Sequence, residues 1–285
     1  IWSSQSLKKK DYNNLHSFFW LFSLDLKSSK KDTQDIILKW IEKNYRYKNK
    51  SWEIDIIAKR IIAWISNARL SYEDGDKTYK EKFDYIIKKQ TNHLMNEIKK
   101  SEWVDDKMVG CAAIILVGLS YRDTDTYLNS GLNLLKKIIK FSFDNDGFPR
   151  SRNIRQLNFY LKYFVLIREW LKESQNEIPE YIDENIYYLG QAYAFIWQNN
   201  KKNFLFNGNH EVNNNAFDQY LQRLGYSFKN QNKELGGYGI LNNKKIALIV
   251  DIGSSPDKKF SSNYQAGSLS FEIISNGKKL ICNSG

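Results

Sequence analysis

Apolar residues recur at intervals of three and four from residue 11 to about 197, the spacing of a helix with one buried face. The pattern predicts helices over 12–26, 33–44, 53–70, 78–99, 105–120, 125–141, 154–173 and 183–198. In the first, Leu15, Phe18, Phe19, Phe22 and Leu26 form the stripe. In the second it is Ile36, Ile37, Trp40 and Ile41, and in the third Ile54, Ile57, Ala58, Ile61, Ile65 and Ala68. The connections are short and built from turn residues, such as Glu73-Asp74-Gly75-Asp76, so neighbouring helices are expected to pack antiparallel. No fixed period repeats, which favours an (α/α) toroid over a solenoid of identical repeats.

One stretch breaks this rhythm. Residues Asp146-Gly147-Phe148-Pro149-Arg150-Ser151-Arg152-Asn153 join a glycine-proline turn to two arginines just ahead of a helix. Ser151 or Asn153 is placed to cap that helix. The two guanidinium groups suit a carboxylate or sulfate, which arginine holds through paired hydrogen bonds. After about residue 200 the pattern changes to short β-branched and apolar runs bounded by Gly and Asn. It predicts strands over 203–208, 236–241, 245–251, 267–274 and 278–282, with Asn242-Asn243 and Asn276-Gly277 as hairpin turns and a helix over 214–224. The fold class read from the chain is therefore α+β and multidomain: an incomplete (α/α) toroid followed by the start of an antiparallel β-sandwich. The toroid is assigned to residues 1–200 and the sandwich to 201–285, with the sandwich expected to be truncated at its C-terminus.

Composition sharpens the picture in three places. The chain of 285 residues carries 8 Trp, 18 Tyr and 16 Phe, enough for a thick core and for rings that stack on sugars. The formal charge of +11 attracts polyanions, yet there is no Arg-rich helix, paired-cysteine finger or glycine-rich phosphate loop. Nucleic acid therefore rests on charge alone and is not expected as a partner. Cys111 and Cys282 both lie in apolar runs and are expected to be buried free thiols. No run of 18 apolar residues exists to span a membrane, and no signal peptide is visible at Ile1. The chain does not begin with Met and is expected to be a processed or trimmed fragment.

Several segments, in order, resemble the heparinase II/III-like family of polysaccharide lyases. They are Trp52-Glu53-Ile54-Asp55-Ile56-Ile57-Ala58-Lys59-Arg60 with Trp64 following, the 146–153 loop, and Phe206-Asn207-Gly208. After these come Gly237-Tyr238, Asp251-Ile252-Gly253, and Ala266-Gly267-Ser268-Leu269-Ser270-Phe271-Glu272 up to Asn283-Ser284-Gly285. The resemblance implies β-elimination in a glycan that contains uronic acid, with no redox cofactor. It admits a structural divalent metal in the sandwich, a periplasmic or cell-envelope location, and an acidic polysaccharide as partner. The chemistry requires a group that neutralises the uronate carboxylate, a base for the C5 proton and an acid for the leaving oxygen.

On this resemblance Asn153 neutralises the carboxylate, with Arg150 and Arg152 beside it. Tyr264 and Tyr238 are the tyrosine candidates for proton transfer. Family members place a histidine where this chain has Gln265, which binds substrate but is no base near neutral pH. Of three histidines, His210 is the candidate to face a site, while His16 and His93 sit in helical patterns and are read as structural or surface residues. Trp52, Trp64 and Tyr160 are candidate stacking platforms, with Trp64 read as core. His210 and Glu211 are two adjacent ligand types without a third, so no metal site is assigned. Two other readings compete. One is a non-catalytic glycan-binding or envelope protein on the same scaffold, which Gln265 favours. The other is a glycoside hydrolase, for which Asp146 and Glu211 are the only loop acids to nominate.

Overall fold

The computed structural model describes residues 7–283, except 26, 48–49, 103, 122–124, 199–203, 208–213, 244, 263, 265–266 and 268. The chain divides into two compact units, Ile1–Ile138 and Ile139–Gly285. That division falls well before residue 200, where helices give way to strands, because two long helices belong to the same unit as the sheet.

The first unit is helical: α1 (Lys9–Ser17), α2 (Lys30–Asn44), α3 (Ile54–Ser66), α4 (Ala68–Ser71), α5 (Lys77–Glu97) and α6 (Val104–Ser120), with α7 (Asp125–Ser142) running into the second unit. α3 is central and packs on α1, α5 and α6. Its Ile57, Ile61 and Trp64 are fully buried, and the Trp64 ring meets Phe18, Trp40 and Phe83 at 5.2–5.5 Å between centroids. α6 is apolar all round and buried from Met108 to Val117, as an inner helix must be.

Two expected helices are shorter than their stripes. The first stops because Phe18 adopts a left-handed φ of 56°, turning the chain into a 3₁₀ segment over Phe19–Ser23. Phe22, expected in the stripe, is consequently 49% exposed. The third breaks at Asn67, whose side-chain amide donates to the Ala63 carbonyl at 2.7 Å and competes with helix continuation. Ile36 is also on the solvent side, while Thr33 and Asn44 complete the buried face of α2.

The second unit holds α8 (Ile154–Glu173) packed on α9 (Glu180–Tyr193), which ends in a π turn over Ala194–Gln198, and α10 (Asn215–Arg223). Its sheet is a five-stranded antiparallel meander in sequence order: β1 (Glu234–Leu235), β2 (Tyr238–Asn242), β3 (Ile246–Asp251), β4 (Phe271–Ser275) and β5 (Lys278–Ile281). Register pairs Tyr238 with Asp251, Ile240 with Ile249, and Ile249 with Glu272. Because side chains alternate along a strand, this register puts Tyr238, Ile240, Ile249, Asp251, Glu272 and Ile274 on one buried face. Leu241, Ile246, Phe271 and Leu280 are exposed. The Asn276-Gly277 turn has φ of 47° and 74°, the left-handed pair of a tight hairpin.

Among the described residues of the strand expected over 203–208, 204–207, no strand forms. The Leu205 N–H donates to the buried Glu272 carboxylate at 2.8 Å. Of the two cysteines, Cys111 is buried with Sγ 3.1 Å from the Gly131 carbonyl, and Cys282 is exposed, contrary to its apolar surroundings in sequence.

Candidate functional site

The 146–153 loop in the second unit is the best-defined polar feature of the fold. Its entry is a turn in which the Asp144 carboxylate accepts from the Asp146 and Phe148 amides at 3.0 and 2.8 Å. Burial nevertheless raises the Asp144 pKa above the usual carboxylate value. Gly147 takes φ of 73°, and a Cβ there would lie 2.4 Å from Tyr188. Phe148 is fully buried against Tyr238 and against Gly236, where no side chain could fit.

Arg152 is the hub. It has a φ of 56°, a conformation a non-glycine residue adopts at a cost, and its side chain is 9% exposed. Nε donates to the Gly236 carbonyl at 3.1 Å, Nη1 to Ser254 at 3.0 Å, and Nη2 to Gly237 at 2.7 Å and to the Asp251 carboxylate. The guanidinium passes between two backbone stretches that must lack side chains. A Cβ on Gly237, or one on Gly253, would fall within 2.8 Å of it. Tyr238 stacks under Arg152 at 4.9 Å, donates its hydroxyl to the Arg152 carbonyl at 2.7 Å, and accepts from the Asn207 amide. Burial pushes the Tyr238 phenol well above its ordinary pKa, so it stays protonated at neutral pH.

The candidates fall into three groups. Arg152, Tyr238 and Tyr264 come together: the Tyr264 ring lies 6.0 Å from the Arg152 guanidinium, and its hydroxyl is buried with no hydrogen-bond partner among the described residues. Arg150 and Arg152 line an open cleft of about 420 Å³ with Asp144, Ser254 and Asp257. Arg150 is exposed, and its Nε is held by the Phe143 carbonyl at 2.7 Å. Asn153 sits beside them but is buried, and its Oδ1 caps α8 by accepting from the Arg155 and Gln156 amides at 2.9 and 3.4 Å. His210 and Gln265, along with Glu211, lie outside the described residues. Trp52 is in the first unit, 3% exposed, with its indole N–H on the Asn44 carbonyl at 2.7 Å. Tyr160, expected as a platform, is a core residue at 1% exposure, and Trp64 is core as expected.

Sequence reading did not assign roles to Asp251, Asn207, Gly236 or Ser254. The available signal was an isolated acid ending an apolar strand, Ile246–Asp251, which has to be buried with a cation partner. Glu272, the second residue of β4, is also fully buried, and its carboxylate accepts from the Leu205 and Asn283 amides.

In the first unit His16 is structural. Its Nδ1 accepts from the Trp40 indole at 3.0 Å, and burial lowers its pKa to about 4. His93 lies against Tyr47 and Trp52. A separate cleft of about 570 Å³ there is lined by Asp55, Glu97 and Asp106 among others. Burial and the neighbouring Asp55 raise the Asp106 pKa to about 6. Among the described residues no three His, Cys, Asp or Glu side chains gather as a metal would require. No helix is long and apolar enough to cross a membrane among the described residues.

Comparison with known proteins agrees with this architecture. Residues 231–285 match the family described as Heparinase II/III-like, C-terminal. The whole chain superimposes on a crystal structure of heparinase III with a TM-score of 0.77 at 14% identity, covering 52% of that chain. It also superimposes on the heparan sulfate lyase HepC from Pedobacter heparinus with a TM-score of 0.69 at 13% identity, covering 51%. The chain thus spans about half the length of the solved structures it matches. No curated protein sequence matches it. The helical region followed by an antiparallel sheet is the toroid-plus-sheet fold of the heparinase III structures, and the C-terminal segment of the chain carries the Heparinase II/III-like signature.

Proposed function

We propose that the protein belongs to a polysaccharide lyase that cleaves an acidic, uronic-acid-containing glycan by β-elimination. In that reaction the electron pair of the C5–H bond becomes the C4=C5 double bond, the C4–O bond breaks, and the leaving oxygen takes a proton. Arg150, exposed in the cleft, neutralises the uronate carboxylate and so acidifies C5–H. The Tyr264 phenolate oxygen takes up that proton and, as the phenol, passes it to the leaving oxygen. Arg152, Tyr238 and Asn153 act as positioning residues: the first two fix the floor beside Tyr264, and Asn153 holds the start of α8. The observation that carries this reading is the cleft lined by Arg150 and Arg152 with the Tyr264 ring 6.0 Å from the Arg152 guanidinium, its hydroxyl without a hydrogen-bond partner among the described residues. A buried hydroxyl left unpaired costs free energy unless something completes it. On the same resemblance we assign the protein to the periplasm or cell envelope.

A second reading, a glycan-binding relative without catalysis, is favoured by one fact. Asn153 spends its oxygen on the helix cap and Arg152 spends its donors on internal acceptors. An ultraviolet assay for unsaturated uronate, run over a panel of acidic polysaccharides, separates the two. Product formation that Tyr264→Phe and Arg150→Ala abolish supports the lyase. Retained, salt-sensitive binding with no product on any glycan supports the second reading.

A further inference from the structure

Unit one carries an exposed strip in which rings and cations alternate. Tyr45, Tyr47 and Tyr85 are 43%, 63% and 64% exposed, on a protein whose other tyrosines are mostly covered. Lys89 bridges two of them, with its ammonium 5.4 Å from the Tyr45 ring and 5.9 Å from the Tyr85 ring. Arg46 lies 5.4 Å from the same Tyr45 ring and donates to its hydroxyl at 3.0 Å. His93, one turn after Lys89 on α5, stacks on Tyr47 at 5.4 Å. Residues four apart on a helix are surface neighbours, so the Lys89 and His93 groups form one continuous strip. Lys82 extends it by a further turn, opposed by Glu42 at 4.0 Å.

Tyr47 and His93 also lie against the buried Trp52, but Tyr45 and Tyr85 leave much of their rings in water. Rings left in water and ordered beside cations are suited to a ligand that offers apolar faces and negative charge together. We propose that this strip is a secondary binding surface for an acidic polysaccharide chain, with sugar faces stacked on Tyr45, Tyr47 and Tyr85 and acidic groups paired with Arg46 and Lys89. The choice of ligand rests on the lyase reading, which supplies the polymer; the surface itself lies wholly within the first unit. Its charge agrees with the net +11 of the chain.

The test uses the full chain and three probes: long heparan sulfate, a short heparan sulfate oligosaccharide and poly(dT). Lys89→Ala and the Tyr45→Ala/Tyr85→Ala pair are compared with Lys31→Ala, which removes the same charge from an exposed site on α2. The expected result is that Lys89→Ala and the tyrosine pair each weaken binding of the long chain by about tenfold, the loss of one or two exposed cation–ring contacts. Lys31→Ala should leave it nearly unchanged, and elimination of the short oligosaccharide should be unaffected by all three. Equal losses for Lys89→Ala and Lys31→Ala would overturn the proposal, since diffuse charge would then explain binding. So would tighter binding of poly(dT) with the same residue dependence, which would make the surface a single-strand platform. Because the tyrosines are exposed, circular dichroism checks that the pair folds, and Lys89→Ala stands alone if it does not. Absent elimination by the unmodified chain would count against the lyase reading only.

Discussion

Replacing Arg152 by Met should damage the second unit severely. The substitution keeps much of the side-chain volume but leaves the Asp251 carboxylate, which is 0% exposed, without its cation. It also leaves the carbonyls of Gly236, Gly237 and Ser254 without their donors. Breaking a buried ion pair from one side costs about 3–5 kcal/mol, mostly the penalty of the charge left behind. The open cleft beside Arg152 admits water to the carbonyls, so their share is held below the full cost of about 1–3 kcal/mol for each unsatisfied group. A total of about 4 kcal/mol corresponds to roughly a thousandfold change in the opening equilibrium. Hydrogen exchange at the amides of β2 and β3 measures it directly, with α3 amides as a reference within the same sample. The variant Arg152→Met/Asp251→Leu supplies the control, because removing both charges should restore much of the protection. A loss below about 1 kcal/mol in Arg152→Met would put the pair in the range of surface ion pairs. The Arg152–Asp251 pair would then contribute no more than a surface contact to the second unit.

Two further predictions concern single residues. Asn153→Ala should lower stability by about 1 kcal/mol through loss of the α8 cap, while Asn153→Asp should restore it. If Asn153→Asp restores stability but not elimination in the unsaturated-uronate assay, the side chain touches substrate; recovery of both marks it as positioning alone. His16 sets a pH dependence. Its folded pKa of about 4 lies below the ordinary 6.5, so the unfolded chain binds the extra proton between those values. Its contribution is therefore complete above pH 6.5 and is lost as pH falls toward 4, at no more than about 1.4 kcal/mol per pH unit. Urea unfolding of His16→Phe should show a shallower acid limb than the parent, and an identical limb would exclude His16 as its source.

Much of the fold was legible because it is periodic. Helices α2, α5, α6, α7 and α8 announce themselves by apolar spacing, and the Asn276-Gly277 hairpin by the two residue types that tolerate left-handed φ. What periodicity could not show is where one residue overrides it: Phe18 and Asn67 end helices whose stripes continue, Phe18 through its left-handed backbone and Asn67 through its side-chain amide on the Ala63 carbonyl. The strand read at 203–208 had the right residues, but a strand exists only if a neighbour supplies its ladder. Here the buried Glu272 takes the Leu205 amide instead.

The candidate site divides along the same line. The sequence marked the 146–153 loop by its arginines after a Gly-Phe-Pro turn, and the resemblance to the heparinase II/III-like family added Tyr238 and Tyr264 as candidates. Only the tertiary structure determined that Arg152 reaches 99 residues along the chain to Asp251, that Gly237 and Gly253 must be glycine to let it pass, and that Asn153 is a cap. Such assignments depend on which side chains meet across sequence-distant elements. Periodicity fixes which face of an element is buried; packing fixes what that face touches.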